Sequence, residues 1–95
     1  MKKNFPLHHP RKADARVLDA IKHEVRKYVL RERRKPLPDE AQVRTFTCRV
    51  GADEASAETC ALPGVSAALD RFAATGADTV FIAIRAQSGA RPGRG

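Results

Sequence analysis

The sequence predicts an α+β domain with two helices packed on one face of a three-stranded sheet. Three observations carry that prediction. An apolar stripe at helical spacing runs through residues 15–34, and strict two-residue alternation runs through 43–50. A second, shorter helical stripe then leads into the most apolar run of the chain, 79–86. The resulting order is helix, strand, strand, helix, strand, which forms two layers around one core. Ninety-five residues leave room for no second core.

The first helix is set by Val17, Leu18, Ile21, Val25, Tyr28 and Val29, which fall on one side at 100° per residue. Asp14 would interrupt that stripe if it were helical, so it is expected as the N-cap, accepting from the first free amides. Pro36 and Pro38 end the helix. In the next segment Phe46, Cys48 and Val50 share one face, and Thr45, Thr47 and Arg49 share the other, as in a half-covered strand. A turn over 51–54 and a short strand near 57–62 complete a hairpin. Cys48 and Cys60 are equidistant from Glu54, which sets the two thiols opposite one another, most simply as small apolar residues. Pro63 and Gly64 open the second helix, whose stripe is Val65, Ala68, Leu69, Phe72 and Ala73, and Gly76 is placed to cap its end. A right-handed crossover then brings the last strand beside the first. Its outer face would join Phe81, Ala83 and Arg85 to Thr45, Thr47 and Arg49.

The expected domain organisation is an N-terminal arm over 1–13, one α+β domain over 14–87 and a flexible basic tail over 88–95. The arm holds two prolines and two histidines without periodicity, and the tail is rich in Gly and Arg. Aromatic residues make up only 5% of the chain, so aliphatic side chains must supply a thin core.

Charge is the least even property of the chain. Residues 1–35 carry twelve Lys and Arg against four acids, a net of +8, whereas 36–95 carry six against seven. The formal total is +7. Such polarity attracts polyanions in a way that evenly mixed charge does not. On the first helix the face opposite the apolar stripe gathers Arg16, Lys22, His23, Arg26, Lys27, Arg31, Arg33 and Arg34, with Asp19 among them and Glu24 at the edge. The sequence therefore predicts non-enzymatic binding of an anionic partner, nucleic acid foremost, with RNA ahead of DNA. Lys22, Arg26, Lys27, Arg31, Arg33, Arg34 and Lys35 are the expected phosphate contacts, and His23 adds a side chain of a type whose charge changes near neutrality.

RNA is placed ahead on two grounds. No helix-turn-helix pattern is present, and Phe81 between Arg49 and Arg85 offers one aromatic on which a base could stack. One aromatic is a poor platform, however, and the favoured reading of Phe81 is that the N-terminal arm or a second subunit covers it. The alternative function is a protein-interaction module or homodimer using the open face or edge of the last strand, the basic helix being merely solvated. A third reading is an enzyme for an anionic small molecule.

Several classes are excluded or disfavoured. No run of 18 apolar residues exists to span a membrane. Lys2 and Lys3 open the chain as in a signal peptide, but no apolar stretch follows them, so a cytoplasmic location with reduced thiols is expected. His8, His9, His23, Cys48 and Cys60 lack metal-ligand spacing, and no metal or cofactor is expected. No nucleophile elbow, phosphate-binding loop or zinc-protease motif is present, so no catalytic residues are assigned. The element order invites comparison with a KH domain, but the Gly-x-x-Gly loop that defines one is missing.

The string Asp19-Ala20-Ile21-Lys22-His23-Glu24-Val25-Arg26-Lys27-Tyr28, followed by Arg31-Glu32-Arg33-Arg34-Lys35, adds a resemblance. Together with Met1-Lys2-Lys3, Phe5, Leu7 and His8 it resembles a family of small uncharacterised bacterial proteins. The resemblance implies a bacterial, cytoplasmic, single-domain protein. It brings no activity and no site residues.

Overall fold

The computed structural model describes residues 1–36 and 43–89. The chain is α+β, and its sheet has four strands rather than the expected three. The order along the chain is β1 (Lys2–Pro6), α1 (Asp14–Arg34), β2 (Val43–Gly51), β3 (Glu58–Cys60), α2 (Val65–Ala74) and β4 (Thr79–Gly89), with a short 3-10 turn at Leu62–Gly64 before α2. The sheet order is β1-β4-β2-β3, and each neighbouring pair is antiparallel.

The additional strand comes from the expected arm. Lys2, Lys3, Asn4, Phe5 and Pro6 pair with Ala83, Ile82, Phe81, Val80 and Thr79. The segment has no periodicity because only Phe5 and, just beyond, Leu7 point into the core, while the rest of the strand is exposed at the sheet margin. At the other end, the expected tail begins two residues too early, since β4 continues to Gly89. The remainder of that tail, 90–95, lies outside the described residues, as does Pro38.

Both helices lie on one face of the sheet and share a single core. Val17, Ile21, Val25 and Val29 of α1 meet Val65, Ala68 and Leu69 of α2 over Cys48, Val50, Val80, Ile82 and Ile84. Four-residue spacing along α1 and two-residue spacing along β2 and β4 turn these side chains to the same layer. β4 lies beside β2 as expected, with Cys48 opposite Ile84 and Val50 opposite Ile82. β2 and β3 place Cys48 directly opposite Cys60.

Asp14 is the first residue of α1 and not its cap. Ala13 occupies the cap position with no side-chain hydrogen bond, and its carbonyl accepts from the amides of Arg16 and Val17. A turn with a bridge between His9 and Lys12 brings His8 back to the helix start, where its Nδ1 meets the Asp14 carboxylate at 3.0 Å. Asp14 keeps the favourable position of an acid in the first helical turn. Gly76 follows the C-cap Thr75 with φ of 77°, the left-handed geometry that glycine adopts without strain.

On the outer face of the sheet Phe81 is covered, as the favoured reading of that residue expects. Phe81 is 2% exposed and offers no stacking surface. The expected arm lies beside it as β1, with Asn4 opposite Phe81, and the chain's own turn after β2 folds back over this end. Gly51, opposite Phe81 in the register, approaches the turn so closely that a Cβ would lie 2.5 Å from Ala57 Cα. The turn is then held on three sides. Arg49 donates to the carbonyls of Glu54 and Ala57, Lys2 pairs with Glu54 at 2.6 Å, and the Thr79 hydroxyl donates to the Ala52 carbonyl. Asp53 closes the turn by accepting from the Ser56 amide and hydroxyl, which hold its carboxyl below the usual range. The edge of β4 is also occupied over Thr79–Ala83, where β1 pairs with it.

Candidate polyanion interface

α1 follows from strong helix formers, Arg, Lys, Glu, Leu and Ala, laid around an apolar stripe. Its 21 residues give a rod of about 31 Å. With the stripe buried, the opposite arc faces solvent along the whole length. His23, Arg26, Lys27, Arg31, Arg33 and Arg34 are all exposed there, with Arg16 at the N-terminal end.

Their surroundings divide the expected contacts into three groups. Arg26, Lys27 and Arg34 have no carboxylate within ion-pair distance among the described residues. Arg31 and Arg33 likewise lack an acid, but each guanidinium sits over a ring, Arg31 over Tyr28 at 5.7 Å and Arg33 over Phe46 at 5.6 Å. Stacking of this kind fixes the plane of the fork and leaves its N–H edges free for an anion. Lys22 and Lys35 are engaged elsewhere. Lys22 leans toward α2, where its ammonium meets Asp70 at 2.6 Å with the side chain only 18% exposed. Lys35 closes on Glu32 at 2.7 Å. The structure thus gathers six of the eight expected residues on one open face and turns Lys22 and Lys35 to partners within the fold.

Leu30 was not anticipated. It is 50% exposed and lies in the middle of this face. Its helical neighbours at three and four residues are Arg26, Lys27, Arg33 and Arg34, all cationic. The signal was available in the sequence, since Leu30 lies off the apolar stripe.

The thiols have a different character. Burial pushes both Cys48 and Cys60 up from the ordinary thiol range, with Cys48 fully covered, so both remain protonated and behave as apolar groups. Among the described residues, no group of three or more His, Cys, Asp or Glu side chains is placed to hold a metal ion, and no helix is long and apolar enough to cross a membrane.

Fold and surface together define a small basic α+β domain whose α1 carries an exposed cationic face that is largely without acidic partners among the described residues. The chain belongs to a family of unknown function, DUF6172, which matches residues 1–95. No curated protein and no solved structure matches it.

Proposed function

We propose that this protein binds nucleic acid through the outward face of α1, without catalysing a reaction on it. One observation supports the reading above the rest: Arg26, Lys27, Arg31, Arg33 and Arg34 share an exposed helical face and none has a carboxylate partner among the described residues. Surface cations that merely solvate a helix are usually interleaved with acids at three- and four-residue spacing. Here the second half of the face is almost purely cationic. Phosphate neutralisation by such a row releases counterions and makes binding steeply dependent on salt. RNA stays ahead of DNA on the remaining ground that α1 is flanked by strands and belongs to no helix-turn-helix. With Phe81 covered, stacking on the sheet no longer contributes to that preference.

The test is a titration against fluorescent single- and double-stranded RNA and DNA at two salt concentrations, with the triple variant Arg31→Ala, Arg33→Ala, Arg34→Ala alongside. The expected result is salt-steep binding whose log–log slope falls in the variant by roughly 0.7–0.9 per lost contact, with affinity down about 100-fold. Weak binding with the same slope in both proteins would refute the reading.

A further inference from the structure

Beside the cationic face lies a groove of about 320 Å³ between α1 and the beginning of α2. Val25 and Val29 of α1, Leu62 and Pro63 of the 3-10 turn, and Leu69 of α2 line its apolar part. Arg26 and Arg33, one above the other at seven-residue spacing, form its lip on the α1 side. Arg26 has no carboxylate partner among the described residues, and Arg33 is steadied over Phe46. On the other side of this arginine row stands the exposed Leu30. The surface therefore reads, across the helix, as apolar groove, two guanidinium groups, apolar side chain.

We propose that this groove docks an acidic, apolar-anchored peptide segment of a partner protein, its aliphatic or aromatic side chains entering the groove and its carboxylates meeting Arg26 and Arg33. Charge complementarity fixes the sign of the occupant, and the lining fixes its class. The groove presents aliphatic side chains and no aromatic ring, so a nucleobase would find no stacking platform there. A second copy of this chain, at a formal +7, brings the wrong charge. A segment with apolar residues at i, i+3, i+4 and i+7 and Glu between them matches both features through the usual helix-in-groove mode. The proposal is independent of nucleic-acid binding, although the two occupants would compete for Arg26 and Arg33.

The probe is a synthetic fluorescent peptide with Leu and Phe at that spacing and Glu elsewhere, titrated into the full chain. A scrambled peptide of equal composition and a polyglutamate of equal charge serve as controls. The amphipathic peptide is expected to bind at least about tenfold more tightly than either control. It should move the backbone amide signals of Val25, Val29, Leu62 and Ser66. Ser66→Glu, at an exposed site in the first turn of α2 where an acid suits the helix dipole, is expected to fold normally and weaken the peptide about tenfold. Equal binding of all three peptides, signal changes confined to the outer residues of α1, or no binding at all would overturn the proposal.

Discussion

The two cationic surfaces of this molecule use the same residue types to opposite ends. On the outer face of the sheet, Lys2 and Arg49 are held by the turn that follows β2, through the Glu54 carboxylate and the carbonyls of Glu54 and Ala57. On the outward face of α1, Arg26, Lys27 and Arg34 extend from the helix with no acid in reach among the described residues. On the sheet, Lys2 and Arg49 hold a turn folded back beside Phe81, while Arg85 on the same face stays exposed. Arg26, Lys27 and Arg34 on the helix have no such internal partner among the described residues, which makes that face the better candidate for an external task. A count of Lys and Arg cannot separate the two, whereas the partners of each side chain can.

Substitutions at the two surfaces should therefore fail differently. The largest expected contrast is between the triple helix variant and Gly51→Ala. The first should lose affinity with a urea midpoint lowered only slightly, through loss of the Arg31–Tyr28 and Arg33–Phe46 contacts. Gly51→Ala should lose about 2 kcal/mol of stability with salt-dependent binding intact, because its Cβ forces the turn away from the strand. If Gly51→Ala is as stable as the parent, the turn is not held as described. Arg49→Ala comes next, at about 1 kcal/mol in chemical denaturation, for two hydrogen bonds from a half-buried guanidinium. Its affinity for polyanions should stay within about twofold of the parent. A larger drop would place the sheet face in the interface and dissolve the contrast.

His8 offers a smaller test through pH. Its hydrogen bond to Asp14, then the Asp14 charge and that of Asp78, raise its pKa above the ordinary histidine value. The protonated ring is thus favoured in the folded chain. Its stabilising contribution is complete below about pH 6.5 and disappears as pH rises through the higher folded value. An NMR titration of the His8 ring should give a midpoint that falls in Asp14→Asn, and an unmoved midpoint would remove Asp14 as the cause. Smallest of all is Lys2→Ala, an exposed pair whose loss should change stability by less than about 0.5 kcal/mol.

Much of this architecture was legible in the sequence where side chains follow a period. α1, β2 and β4 were anticipated to within a few residues, and the symmetry of Cys48 and Cys60 about Glu54 anticipated their pairing. β1 was not, because a five-residue edge strand that buries only Phe5 has too little pattern to register against Pro6, His8 and Pro10. The burial of Phe81 was anticipated, but the part played by the turn after β2 was illegible for a different reason. That part depends on Gly51 letting the turn approach from behind, a contact between backbones that leaves no periodic trace. In the candidate interface, helical spacing showed which of these side chains share an exposed helical face but could not reveal that Lys22 finds Asp70, 48 residues further along.

β1 also has a bearing on how the protein behaves in company. It is the last strand on its side of the sheet, as β3 is on the other. β1 presents Lys2 and Lys3 and ends in Pro6, which lacks an amide hydrogen, while β3 is three residues long. Neither of these two short strands makes a good template for adding a strand from a neighbouring molecule. Any backbone ladder between neighbouring molecules is thereby confined to the stretches that outrun those margins, 43–47 of β2 and 85–89 of β4, whose outer edges no described strand covers.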